Sequence, residues 1–125
     1  MSRVIKKIEI EGKKVNALFD TGSFNTYIER RLLKRAPKLL VPYPYTVKIG
    51  GKTIEVKEIS LFLGKIEGLG FHGEAIPIEK SFEIDGKKVS AIIGALIMEK
   101  WAIIVNPKNG TLNLEGLKKR EFIDF

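Results

Sequence analysis

Val15-Asn16-Ala17-Leu18-Phe19-Asp20-Thr21-Gly22-Ser23 is the stretch around which the rest of the chain is organised. Val15 to Phe19 is a strand-length run rich in apolar residues, and it ends on a turn signal. Asp20 therefore falls where a strand leaves the core, close to the sheet yet open enough to meet a ligand. Thr21 can donate its hydroxyl to a neighbouring backbone group. Gly22 permits a tight turn that brings a backbone N–H to the carboxylate, and Ser23 can hydrogen-bond that carboxylate from outside. Taken alone, Asp-Thr-Gly serves equally well as an Asx-type turn closing a strand. Context has to choose.

A second element lies far downstream at Ala91-Ile92-Ile93-Gly94, followed by Ala95-Leu96-Ile97-Met98-Glu99-Lys100-Trp101, which has the length and apolar content of a short helix. An apolar-apolar-Asp-Thr-Gly-Ser loop followed at this distance by apolar-apolar-Gly and a helix resembles one lobe of the retroviral-type (retropepsin-like) aspartic peptidases. The resemblance runs from about Val4 to Leu114. It implies a mainly β fold: a single-lobe acid-protease-like β barrel with two short helices, residues 1–125 forming one domain, paired as a two-fold homodimer.

The same resemblance implies an aspartic endopeptidase acting on polypeptide, with no metal and no cofactor. Asp20 would be catalytic, with Thr21, Gly22 and Ser23 supporting its loop. Ile49, Gly50 and Gly51 would form a flap over the substrate, and Ile93 and Gly94 would complete the pocket. Chemistry adds its own constraint. Hydrolysis of this kind needs two carboxylates around one water, and the chain has only three Asp residues, Asp20, Asp85 and Asp124. Asp85 falls in a turn and Asp124 in the tail, and neither precedes Thr-Gly. One chain then supplies one catalytic carboxylate, and the other must be Asp20 of a second copy. The alternative is a catalytically silent, dimeric peptide-binding module of the same fold. An intact Asp-Thr-Gly-Ser argues against it.

Composition narrows the other classes. A chain of 125 residues can bury a real core, and without Cys it has neither disulfides nor thiolate metal sites. One His, with no His–Glu spacing, argues against zinc. No stretch approaches the ~18 continuous apolar residues of a membrane span, so a soluble, cytoplasmic protein is the expectation. The net charge of +7 raises nucleic acid as a partner. The lysines, however, come in scattered pairs near turns, without the aromatic interleaving of RNA-binding surfaces. Solvation is the simpler account.

Along the chain, Val4–Glu11 reads as a strand in a hairpin with Val15–Phe19. Thr26-Tyr27-Ile28-Glu29 has capping-box spacing and predicts a helix from Tyr27 to about Ala36, ended by Pro37. Pro42-Tyr43-Pro44 reads as an extended connector, and Thr46–Ile49 with Lys52–Val56 as a hairpin across Gly50-Gly51. Glu58–Leu63 is a strand, Gly64–Gly73 a loop or hairpin with an exposed, unpartnered His72, and Glu74–Ile78 a strand that Pro77 places at a sheet edge or a strand end. Ile84-Asp85-Gly86-Lys87 is a turn, and Val89–Ile93 a buried strand. A last hairpin spans Trp101–Leu114, with Trp101 in the core. The tail places Leu117, Phe122, Ile123 and Phe125 among charges, an unusual amount of apolar surface for a chain end.

Overall fold

Strand β1 (Arg3–Ile10) turns through Glu11-Gly12 into β2 (Lys13–Asp20), with Arg3 opposite Asp20 and Ile10 opposite Lys13, in a computed structural model that describes residues 3–125. Both turn residues have positive φ (50° and 81°), the geometry that matches the twist of the flanking strands. The chain continues through β3 (Tyr27–Glu29), a one-turn 3₁₀ helix (Arg30–Leu33), β4 (Lys38–Ile49), β5 (Lys52–Ile66) and β6 (Leu69–Ile78). After these come β7 (Phe82–Ile84), β8 (Lys87–Val89), β9 (Ala91–Ile93), helix α1 (Ala95–Trp101), β10 (Ile104–Asn106), β11 (Thr111–Asn113) and helix α2 (Glu115–Lys119).

Seven strands form one sheet in the order β1-β2-β9-β3-β6-β5-β4. The end of β5 also pairs with β1, Gly64 opposite Ile10, and this closes the sheet into a barrel. Closure pairs the end of β1 that an open sheet would leave free, while β4 is paired with β5 alone among the described residues. Two pairings are parallel, β2 with β9 and β3 with β6. Strands β7–β8 and β10–β11 are separate two-stranded ribbons.

Neighbouring residues on the central strands enter different cores. Phe19, Phe62, Ile93, Met98 and Trp101 fill one cluster, while Leu18, Tyr27, Val56, Ile76 and Ile92 fill another on the opposite face. Burial on both faces accounts for the continuous apolar runs at Ala17–Phe19 and Ala91–Ile93, where a one-sided sheet would alternate. At the closure, Gly64 lies opposite Phe71, and a Cβ on Gly64 would fall 2.4 Å from the Phe71 ring. The missing side chain lets that ring lie across the strand and meet Phe62 edge-on at 5.9 Å.

The structure corrects several expectations. Tyr27–Ala36 is not a helix. Tyr27 and Ile28 pair with Ile76 and Pro77 on one side and with Ile92 and Ala91 on the other, and only Arg30–Leu33 makes a helical turn. Both members of the apparent capping box are otherwise engaged: the Thr26 hydroxyl accepts the N–H of distant Gly94, and the Glu29 carboxylate accepts from its near neighbour Arg31. The second expected helix is present, one residue longer, as Ala95–Trp101. Pro42 and Pro44 fall inside β4 rather than between elements. The ladder to β5 breaks between Leu40 and Tyr45, where two residues lack the N–H it would need. His72 lies in β6, not in a loop, with its ring edge-on to Trp101 at 5.1 Å. Helix α2 has no counterpart in the sequence reading. Its signals are Asn113, whose side chain accepts the Glu115 N–H at 3.0 Å, and the buried Leu117. No helix among the described residues is long and apolar enough to cross a membrane.

Phe71→Ala removes the ring at the closure seam and leaves Gly64 with nothing over it. It should lower the free energy of unfolding by about 3–5 kcal/mol in urea titration. A change below about 1 kcal/mol would show that the seam does not depend on this packing.

Candidate active site

Parallel pairing of β2 with β9 sets Phe19 beside Ile93, so the chain segments that leave these strands, Asp20 onward and Gly94 onward, depart side by side. Asp20 is half-buried at the end of β2. The Gly22 N–H donates to its Oδ1 at 2.8 Å, and the Ser23 N–H donates to its backbone carbonyl at 3.1 Å. These two bonds make a tight loop that aims one carboxylate away from the barrel. The Ser23 hydroxyl donates to the Asn25 carbonyl at 2.9 Å rather than to the carboxylate, so it stiffens the loop from within. Thr21 is exposed beside Asp20.

Gly94 is the seat of this loop. A Cβ there would lie 2.2 Å from the Asn25 carbonyl oxygen, well inside contact distance and against backbone. The close approach allows three hydrogen bonds. Gly94 N–H donates to Thr26 Oγ1 at 3.0 Å, Ala95 N–H to the Ser23 carbonyl at 2.7 Å, and Leu96 N–H to the Phe24 carbonyl at 3.3 Å. The N–H groups that open α1, which have no partner within the helix, are thereby satisfied by the loop.

Across from Asp20 stands the β4–β5 hairpin, with Ile49 opposite Lys52 and only Gly50-Gly51 between them. Both glycines have positive φ (56° and 76°), which the two-residue turn demands. A cavity of about 430 Å³ separates hairpin from loop, lined by Asp20, Ser23, Asn25, Tyr27, Ile49 and Ile92 among others. Asp20 is its only lining carboxylate among the described residues. Burial pushes the Tyr27 phenol above its ordinary pKa, so this wall stays neutral. At the base of the hairpin, Arg30 pairs with Glu58 and, at 2.7 Å, with Glu79. The hydrogen bonds to Glu79 and then Glu58 hold its guanidinium above its usual pKa.

No protein-family model and no curated protein matches the chain. Solved structures do. The protease of EIAV complexed with the inhibitor HBY-793 superposes with a TM-score of 0.58 at 18% sequence identity, over 80% of this chain and 88% of that one. The retroviral protease-like domain of Ddi1 from Leishmania major gives 0.58 at 16% identity, over 92% and 90%. The fold is retropepsin-like.

Within this retropepsin-like fold, the residues singled out from the sequence lie in different places. Asp20, Gly22 and Ser23 share the cavity with Ile49 and Gly50. Gly51, the other residue of the hairpin turn, is not among the residues that line it. Ile93 is fully buried in the barrel, and Gly94 is buried beneath the loop. Ile92 faces the cavity in place of Ile93. Val47 and Lys48 also line it and were not singled out, as were neither Asn25 nor Tyr27. Period-two alternation gives a signal for two of these, because Val47 shares a face with Ile49, and Ile92 faces opposite to Ile93.

Gly94→Ala should displace the Asp20 loop, because the added methyl meets backbone that cannot rotate away. A loss of about 1–3 kcal/mol in thermal or urea unfolding is expected, with altered amide resonances at residues 22–26. Gly70→Ala, where a Cβ meets nothing within 4 Å, is the matched control. Equal behaviour of the two variants would contradict the close-packed junction.

Proposed function

We propose that this protein is an aspartic endopeptidase that works as a two-fold homodimer, with Asp20 of each copy forming the catalytic pair. The observation that carries the reading is Asp20 itself: one carboxylate, braced by the Gly22 N–H, on a cavity that a glycine-tipped hairpin faces. Asp85 lies in the β7–β8 turn, 3.9 Å from Arg3, and Asp124 in the exposed tail. Neither can serve as the second group, so a dyad requires a second copy.

Two such carboxylates close together share one proton, since both cannot ionise at short range. The ionised member takes a proton from the water between them while the protonated member gives its proton to the scissile carbonyl oxygen. Water oxygen bonds to the carbonyl carbon, giving a neutral tetrahedral diol. The newly protonated carboxyl then gives its proton to the amide nitrogen while the other carboxylate takes one from a diol hydroxyl, and the C–N bond breaks to leave a carboxylic acid and an amine, with the pair again sharing one proton and no covalent enzyme intermediate. The hairpin would act as a flap, with the extended peptide held through its main chain as an added strand. The EIAV protease was solved with an inhibitor bound, and binding of a peptide-like inhibitor in the cavity beside Asp20 is proposed here by analogy.

Asp20→Asn should abolish cleavage of an unfolded protein substrate while leaving folding and association intact. Residual activity within about tenfold of the parent would remove Asp20 from the mechanism. Binding of peptide without cleavage by the parent protein would instead favour the silent peptide-binding module. Activity should fall as pH rises past the upper apparent pKa of the pair, because the shared proton is then lost. A rate still climbing at strongly alkaline pH contradicts the dyad. Specific activity should also decline on dilution, since the active species is proposed to be the dimer.

A further inference from the structure

Among the described residues the β7–β8 ribbon pairs with no other strand, and its turn at Asp85-Gly86 (φ 52° and 75°) folds it back on itself. Buried Val89 roots it in the apolar cluster that also contains Tyr27 and Ile92. Its first residue, Phe82, reaches the tip of the β4–β5 hairpin: a methyl on Gly50 would sit 4.0 Å from Phe82 Cε1. Phe82 and Ile84 pack into the same cluster as Val47, Ile49 and Ile54 of the hairpin. A cavity of about 540 Å³ lies between Ile49, Ile54 and Val56 on the hairpin and Ile76 and Ile78 on β6, and Phe82 lines its end. The hairpin is thus tied at its base by Arg30 with Glu58, and near its tip by the aromatic ring.

We propose that Phe82 is a positioning residue for the hairpin, fixing where the Gly50-Gly51 tip rests above the Asp20 loop, and that the β7–β8 ribbon serves to present it. An aromatic ring suits the task. It gives the tip a broad, rigid surface at a small loss of side-chain freedom, within van der Waals reach of a methyl placed on Gly50. Between the two ties, the cavity leaves the hairpin room to swing inward or outward as a substrate enters. The assignment rests on the peptidase reading only for the purpose of the cover, not for the contact.

Amide hydrogen exchange followed by mass spectrometry tests the contact in full-length protein carrying Asp20→Asn, where hydrolysis plays no part. Adding Phe82→Ala should speed exchange at residues 47–54 by about tenfold while amides of β1 and β2 keep their parental rates. Phe82→Leu, which restores an apolar side chain under the tip, should recover most of the protection. Unchanged exchange at 47–54, or a rise there only in step with β1 and β2, overturns the proposal. In protein with Asp20 intact, Phe82→Ala should raise KM for an extended peptide more than it lowers kcat, and a fall in kcat alone would count against it. If the parent proves unable to cleave peptides, the exchange result still decides the role of Phe82, and the peptidase reading fails separately.

Discussion

The missing side chain at Gly94 is the constraint on which the arrangement of the site depends. Because Gly94 has no Cβ, the Phe24–Asn25 backbone can lie directly against the start of α1, and the two segments exchange hydrogen bonds that each would otherwise lack. The Gly94 bond to Thr26 is buried, where an unmade one costs about 1–3 kcal/mol. The loop is therefore held by obligatory polar groups rather than by optional surface contacts. Asp20 needs that. A general acid–base group works only when its geometry is fixed within fractions of an ångström, and an exposed turn with no support beneath it would not provide that.

The same junction explains why two distant parts of the sequence had to be read together. Asp-Thr-Gly at 20–22 and Ile-Ile-Gly at 92–94 are ordinary fragments apart. Parallel pairing of β2 with β9 makes them one structure. What was legible from the residues was therefore the part with local chemistry: the Asp20 turn, the Gly50-Gly51 and Asp85-Gly86 hairpins, and the α1 segment. Each is specified by residues adjacent in the chain.

Less legible were the features decided by partners far away. Thr26-Tyr27-Ile28-Glu29 matches a helix start, yet two neighbouring strands and Gly94 claim its hydrogen-bonding groups, and the segment extends. Tertiary pairing outweighs the few tenths of a kcal/mol by which local propensities differ. The tail followed the same rule. Its apolar residues were unusual for a chain end, and in the fold Phe122 packs edge-on against Trp101 at 5.5 Å, while Ile123 and Phe125 remain exposed. The choice between Ile92 and Ile93 as the cavity-facing residue was available from alternation alone, counting back from Gly94.

A single chain holds half of the proposed machinery: one braced carboxylate, one cover and one cavity. The central claim is that two Asp20 side chains must meet, and mixing wild-type protein with Asp20→Asn protein at constant total concentration tests it most directly. After subunits exchange freely, mixed dimers carry one carboxylate and should be inactive, so activity should follow the square of the wild-type fraction. An equal mixture should then retain about one quarter of the wild-type activity. Activity in simple proportion to the wild-type fraction, about one half for that mixture, would mean that each chain carries a complete site, and would contradict the account.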